Sequence, residues 1–166
     1  MVGLKRMLRH LLMPDWRVRQ CFPPRTQEEV AAAIAASESR HAGEIRFVVE
    51  SSLTPLQLLR GVTARDRAIE VFSSQRVWDT EDNSGVLIYL LLADRDVEIV
   101  ADRGLNGRVS PDEWEAVCRR MEQAFGKREF GPGTLAAVAE IGCLLADRLP
   151  PRAGDRNELP DRPVLL

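Results

Sequence analysis

The sequence GVLIYLLLAD at residues 85–94 decides the fold, together with VEIVAD at residues 97–102, which follows almost at once. The first stretch is apolar on both faces, which predicts a central strand that is covered on both sides. The second alternates, with apolar side chains at its odd-numbered positions, which predicts another strand. Since the connection around Arg95 is too short for a crossover, the two strands must form an antiparallel hairpin.

The segments on either side of this hairpin alternate between strand and helix patterns. Residues 44–50 (EIRFVVE) predict a strand whose odd-numbered side chains share one face. A helix separates it from residue 85, and a strand, a helix and a strand in this order predict a parallel pair. With helices on both faces, the fold class is α/β: a three-layer α/β/α sandwich with a mixed sheet of four strands or fewer.

Caps and breakers set the predicted helix boundaries. Residues 26–29 (TQEE) form a predicted capping box, and residues 110–113 (SPDE) form a second one with proline at the first helical position. Residues 131–133 (GPG) predict a break in the chain. A buried helix is then expected over residues 134–149, which are apolar nearly all round.

We predict three parts along the chain. Residues 1–24 form a basic amphipathic arm that ends at Pro23 and Pro24, residues 25–150 form the α/β/α domain, and residues 151–166 form an extended tail. The arm's apolar side chains fall at helical spacing, at Leu4, Met7, Leu8, Leu11 and Leu12.

Composition excludes several classes of function. The net charge of −2 argues against a duplex-binding domain, so no nucleic-acid partner is expected. Two histidines exclude a His-rich zinc site, and three widely spaced cysteines argue against structural disulfides. The longest apolar run, residues 86–93, is too short to span a membrane, and no secretory signal is visible. We therefore expect a cytoplasmic protein.

Several short pieces follow one another along the chain: GEIR at 43–46, NSGVLIY at 83–89, VEIVADRGL at 97–105, the helix start at Ser110, and Phe125 with FGPG at 130–133. In this order and spacing they resemble the TPM domain family. NELPD at 157–161 resembles the ending of a compact bacterial branch. The resemblance implies an α/β/α sandwich. It also implies calcium binding in loops at one sheet end, as in some relatives, weak acid phosphatase activity, as in others, or an adaptor role in membrane-complex maintenance.

The acidic loop DTEDN at residues 79–83 is the main candidate site. Because the hairpin strands are antiparallel, this loop and the end of the second strand should meet at one end of the sheet. Oxygen ligands gathered there suit Ca²⁺ or Mg²⁺. The predicted ligands are Asp79, Glu81, Asn83, Asp102 and Asp112. The alternative is a solvated loop beside an ordinary helix cap.

Asp94 and Asp96 follow a buried strand, as do the catalytic aspartates of haloacid-dehalogenase-type phosphatases. We favour a hairpin turn, because a return strand follows immediately. No complete set of nucleophile and base is visible, so whether the protein is an enzyme stays open.

The predicted function is a non-catalytic binding or accessory module that engages another protein through the acidic loop, with Ca²⁺ as its cofactor. One alternative is a weak divalent-metal-dependent acid phosphatase. Another is a peripheral membrane accessory protein, in which residues 1–22 contact a membrane surface weakly. The same arm could instead pack on a second copy in a homo-oligomer.

Overall fold

Four strands form one mixed sheet in the computed structural model, which describes residues 3–154 and 156–166. The strands are β1 (Glu44–Glu50), β2 (Gly85–Leu91), β3 (Asp96–Ala101) and β4 (Val164–Leu165), and their spatial order is β3-β2-β1-β4. β1 runs parallel to β2 and to β4, whereas β3 runs antiparallel to β2. The predicted hairpin and the predicted parallel pair are both present.

Helices cover both faces of this sheet. They are α1 (Leu4–Leu11), α2 (Trp16–Cys21), α3 (Pro24–Glu38), α4 (Pro55–Leu59), α5 (Ala64–Ser74), α6 (Pro111–Gly126) and α7 (Phe130–Arg148). A short 3₁₀ turn, Arg103–Leu105, follows β3.

The alternation of side chains along the strands divides the apolar interior into two cores. Ile45, Phe47 and Ile88 lie in the core that α2, α3, α6 and α7 cover. Their neighbours Val48 and Tyr89 lie in the second core, which α4 and α5 cover. The sheet is therefore the middle of three layers, which confirms the predicted α/β/α sandwich.

The helix caps agree with the sequence in part. Ser110 and Glu113 form the predicted capping box at the start of α6. The box predicted at residues 26–29 is wrong, because α3 already begins at Pro24, and the extended Pro23 precedes it. Proline suits the first helical position, where no intrahelical N–H bond is needed.

The chain break predicted at residues 131–133 is also wrong. α7 begins at Phe130 and runs through all three residues. Pro132 is tolerated because it lies in the first turn, where N–H groups have no helical partner. At Gly133, a Cβ atom would lie 2.7 Å from the Cβ of Ala124, so glycine allows α7 to approach α6 closely.

By length and composition, α7 could also cross a membrane. In the structure it is a core helix that packs against α3 and α6. Its buried residues are Gly133, Thr134, Ala137, Val138, Ile141, Gly142 and Leu145.

The predicted arm, residues 1–24, is packed on the domain along much of its length. Val18 and Phe22 are buried in the first core. The ring of Phe22 meets the ring of Phe47 edge-on, with 5.4 Å between the centroids. Pro23 and Pro24 therefore mark the start of a helix, and the packed core continues on the N-terminal side of them.

The extended tail supplies the fourth strand. β4 pairs with β1, and Leu159 is buried in the second core. The backbone N–H of Leu159 donates to the Glu44 carboxylate at 3.0 Å. The Arg46 guanidinium donates to the carbonyl oxygens of Pro160 and Arg162, so two strand side chains hold the tail in place.

Candidate functional site

The turn after β3 meets the loop before β2, as the hairpin topology requires. The N–H of Asp102 donates to the Gly85 carbonyl at 2.9 Å, and the N–H of Gly104 donates to the Asn83 carbonyl at 2.8 Å. Arg103 Nε donates to Asn83 Oδ1 at 3.0 Å. We call Asp82, Asn83, Asp102, Arg103 and Gly104 the sheet-end cluster.

Two backbone features bring the halves of this cluster close together. Asn83 has a φ of 51°, a left-handed conformation that asparagine tolerates better than most residues. A Cβ atom at Gly104 would collide with the carbonyl oxygens of Asp82 and Asn83. Glycine is therefore needed at position 104, and two carbonyl oxygens point at the turn that follows Asp102.

The carboxylate of Asp102 has one satisfied oxygen and one that is not satisfied. Its Oδ1 accepts a hydrogen bond from the Arg103 N–H at 2.7 Å and caps the 3₁₀ turn. Its Oδ2 is buried and accepts no hydrogen bond from any described residue. A buried carboxylate oxygen without a partner is unfavourable, so a cation at this point would be stabilising.

The other predicted ligands have different surroundings. Asp79 is exposed and pairs with Arg76 at 2.7 Å. Glu81 is exposed, and its backbone N–H donates to the Glu158 carboxylate at 3.0 Å. Asp112 is exposed in the first turn of α6. The structure thus brings Asn83 and Asp102 together through Arg103, and within the described ranges no three Asp, Glu, His or Cys residues are placed to hold a metal ion.

Sequence reasoning overlooked Asp82 and the tail residues beside the loop. Asp82 pairs with Arg152, and Glu158 caps the loop backbone at Glu81. About seventy residues separate these partners, so no local spacing could have indicated the contacts. A hydrophobic signal existed only at Leu159, whose burial brings the tail to this end of the sheet.

The donors of the sheet-end cluster fit Ca²⁺ in their chemistry. Asp82, Asn83 and Asp102 offer carboxylate, amide and carbonyl oxygens, the hard ligands that Ca²⁺ prefers. The open Asp102 Oδ2 is the oxygen that no protein group occupies. Arg152 and Arg103 now hold Asp82 and Asn83, so an ion would compete with two guanidinium groups there.

The opposite end of the sheet holds Asp94 in a different way. Arg6 donates to its carboxylate through Nε at 2.9 Å and Nη2 at 2.7 Å, and His10 Nε2 lies 3.0 Å from Oδ1. Burial alone would raise the pKa of Asp94, but the bonds from Arg6 and His10 outweigh it and hold the pKa below its usual value. Arg9 lies 3.2 Å from the same carboxylate, so the arm occupies both oxygens and leaves neither open for nucleophilic attack.

A buried contact between serine and histidine lies between α3 and β1. Ser37 Oγ lies 2.9 Å from His41 Nε2, and the Gly43 N–H donates to His41 Nδ1 at 3.2 Å. Because Nδ1 accepts this bond, the neutral ring carries its proton on Nε2 and donates it to Ser37. A general base must accept the serine proton instead, so this pair has the wrong polarity for a nucleophile.

A groove of about 540 Å³ lies between β3 and α6. Burial, together with the charges of Glu98 and Glu122, raises the pKa of the Cys118 thiol to about 12. Burial and the same two carboxylates raise the pKa of Asp96 to about 6. The groove is thus acidic, and its thiol stays protonated near neutral pH, which makes it a poor nucleophile.

The fold and these sites define a small α/β sandwich domain whose loop-built sheet end has an unsatisfied carboxylate. A family model described as the TPM domain matches residues 18–143. The chain belongs to the TPM domain family, which confirms the resemblance noted in the sequence.

One solved structure is similar over most of its length. The NMR structure of the BA42 protein from the psychrophilic bacterium Bizionia argentinensis superimposes with a TM-score of 0.74 and 28% sequence identity. The alignment covers 84% of this chain and 92% of that one. A search of curated proteins finds no match.

Proposed function

We propose that this protein is a non-catalytic binding module that engages another protein through the sheet-end cluster, with Ca²⁺ bound at Asp102. The observation that carries the proposal is the buried Oδ2 of Asp102, which has no hydrogen-bond partner among the described residues. Asp102 opens the turn in which Gly104 approaches the carbonyl oxygens of Asp82 and Asn83, the second of which accepts the Gly104 N–H. A cation is the ligand that this combination of oxygens would stabilise.

The charges around the cluster suggest how binding would be transmitted. Asp82 and Asn83 are now held by Arg152 and Arg103, whose side chains are largely exposed. If the two acceptors bound an ion, both guanidinium groups would be released to solvent. Free arginines at the rim of a site are suited to binding a carboxylate on a protein partner.

Three observations support a non-catalytic role over the phosphatase alternative. Asp94 is engaged by the arm, His41 donates to Ser37 and does not accept from it, and the pKa of Cys118 is raised by burial. Each of these groups would need the opposite arrangement to act as a nucleophile or to activate one.

Residue-resolved NMR with increasing Ca²⁺ is the direct test. We expect amide shifts concentrated at residues 82–84 and 102–104, together with a rise in melting temperature. A ligand at 100 times its dissociation constant stabilises the native state by about 2.7 kcal/mol. Unchanged spectra and unchanged melting at millimolar Ca²⁺ and Mg²⁺ would overturn the cation site.

Three aspartate-to-asparagine variants locate the ligands. Asp102→Asn should abolish the calcium response and, without calcium, cost less than about 1 kcal/mol, because it removes a charge that has an unpaired oxygen. Asp112→Asn tests whether the first turn of α6 contributes, as the sequence predicted. Asp147→Asn, on the exposed side of α7, is the matched control and should respond like the parent. A full calcium response in Asp102→Asn would contradict the proposal.

A further inference from the structure

α1 turns Arg6, Met7 and His10 toward the domain and its leucines outward, and Met7 packs against the second core. Arg6 and His10 face the domain and bind Asp94. On the opposite side, Leu4 is 81% exposed and Leu8 is 54% exposed. A surface helix ordinarily turns its apolar stripe to the core, so this orientation is inverted.

Specific contacts fix the inverted orientation. Arg6 Nη2 also donates to the Val62 carbonyl at 3.0 Å. The ring of His10 is buried between the Leu53 N–H, which donates to Nδ1 at 2.9 Å, and the Asp94 carboxylate. Rolling α1 to bury its leucines would break all of these bonds. The fold therefore holds the apolar face in solvent.

The exposed apolar surface extends beyond α1. Leu11 and Leu12 continue it along the arm, and α4, which packs against α1, is also apolar on its outside. The large apolar side chains that are more than half exposed in these two segments are Leu4, Leu8, Leu11, Leu12, Trp16, Leu56 and Leu59. We call these seven residues the leucine face.

The charges beside the leucine face indicate which kind of surface covers it. At about 100° per residue, Lys5 and Arg9 lie beside the leucines of α1, and both are exposed, Arg9 while it pairs with Asp94 at 3.2 Å. The first acidic residue after Met1 is Asp15, and its carboxylate accepts a hydrogen bond from Ser51 Oγ at 2.8 Å. A second copy that covered the face symmetrically would bring these cationic side chains toward their own counterparts. An anionic lipid surface would neutralise them.

We propose that the leucine face docks the protein on an anionic phospholipid surface. α1 has eight residues, too few to span a bilayer, and it lies in the plane of the surface. Its leucines enter the boundary of the acyl chains, while Lys5 extends toward the head groups, as long cationic side chains do at membrane interfaces. Docking of this kind is weak and reversible.

Vesicle co-sedimentation in a calcium chelator tests this docking separately from the cation site. The full chain is mixed with vesicles of 70% phosphatidylcholine and 30% phosphatidylserine, and with pure phosphatidylcholine vesicles. We expect binding to the anionic vesicles, a several-fold loss on pure phosphatidylcholine, and a further loss in 0.5 M salt, which screens the charges.

Variants that keep the anchoring contacts complete the test. The double variant Leu8→Asn, Leu11→Asn should reduce vesicle binding at least tenfold while its melting temperature stays unchanged, because both side chains are already in solvent. Ile69→Asn, which alters a half-exposed apolar residue on α5, is the control and should bind like the parent. Equal binding by the double variant would overturn the proposal. So would a parent dimer in light scattering that the double variant converts to a monomer without any lipid binding.

Discussion

The two ends of the sheet differ in the partners that their carboxylates have. At the hairpin end, Asp94 gathers Arg6, Arg9 and His10 around one carboxylate. At the loop end, Asp102 keeps a buried oxygen without a partner in the described chain. Both residues flank β3, and both belong to the kind of acidic pattern that suggests chemistry in a sequence. Their neighbours make Asp94 a structural clamp and leave one oxygen of Asp102 without a hydrogen bond from the described residues.

A second carboxylate at the loop end resembles that of Asp102, because one of its oxygens accepts a backbone N–H and the other accepts no hydrogen bond from the described residues. Glu38 Oε1 accepts from the N–H of Ile45, at the start of β1, at 2.8 Å. Its buried Oε2 accepts no hydrogen bond from any described donor, and the Glu38 carboxyl group faces the carboxyl group of Asp161. Burial first, and then the charges of Glu44 and Asp161, raise the pKa of Glu38 to about 9. At the loop end, arginines pair with Asp79 and Asp82 but with neither buried oxygen of Glu38 and Asp102 in the described chain, whereas Arg6 and Arg9 both pair with Asp94 at the hairpin end.

Among the changes that test this comparison, truncation of the arm should lower the stability of the protein the most. Removal of residues 1–22 takes away the hairpin-end clamp and also the buried side chains of Val18 and Phe22. Losing a buried phenylalanine alone costs about 3–5 kcal/mol. We expect the melting temperature to fall by about 10 °C or more, since about 1 kcal/mol corresponds to about 2–4 °C in a domain of this size.

A shorter truncation separates the clamp from the core. Removal of residues 1–13 deletes α1 but keeps α2 and Phe22, so thermal melting should show a clearly smaller drop. Equal melting temperatures for the two truncated proteins would refute the contribution of Phe22 to the core. So would an unchanged melting temperature after removal of residues 1–22.

Asp94→Asn should lower the free energy of unfolding by an intermediate amount. Asparagine cannot neutralise Arg6, and breaking a partly exposed charge cluster of this kind costs about 2 kcal/mol. Because the folded-state pKa of Asp94 is lowered, its contribution is present above its unfolded pKa and is lost as pH falls through the lowered value. The variant and the parent should therefore converge in stability toward pH 2, when urea unfolding is measured across pH. Asp147→Asn is the control.

Any phosphatase activity should survive Asp94→Asn, because the carboxylate serves the arm. Loss of activity with unchanged melting would restore Asp94 as a nucleophile and reverse the roles of the two sheet ends.

Local patterns predicted the hairpin, the parallel pair and the cap at Ser110 because each depends on residues close in sequence. The clamp could not be predicted in this way, since 88 residues separate Arg6 from Asp94. The sequence showed that α1 is amphipathic, but the direction of its apolar face depends on a buried ion pair that no periodicity encodes. The usual rule that apolar stripes face the core fails here.

The sequence predicted where the candidate site lies, but it did not predict which of its oxygens are open. Antiparallel pairing places the loop of residues 79–83 beside Asp102 whatever the side chains do. Which oxygens are open depends on arginines outside the loop, one of them near it in sequence and the other far away. Arg152, which belongs to the tail, forms an ion pair with Asp82, and Arg76 forms an ion pair with Asp79. The acidic loop is thus largely neutralised by partners that its own composition does not indicate.

Glu38→Gln should have no effect on stability at low pH and the most specific effect at higher pH, because it tests whether the buried Glu38 carboxyl group keeps its proton in the native state. The folded-state pKa of Glu38, about 9, lies above its unfolded value of 4.5, so the native state binds this proton more tightly. Its contribution to stability is fully present below pH 4.5 and is lost as pH rises toward 9. Glutamine keeps an oxygen for the Ile45 N–H and has no charge to desolvate. We therefore expect the variant to match the parent in urea unfolding at pH 5 and to exceed it by a growing margin as pH rises to 8.5. Glu28→Gln, at an exposed position on the same helix, should change neither value. A parent whose stability is flat between pH 5 and 9, or a variant weakened equally at both pH values, would show that the loop end already compensates its charges as well as the hairpin end does.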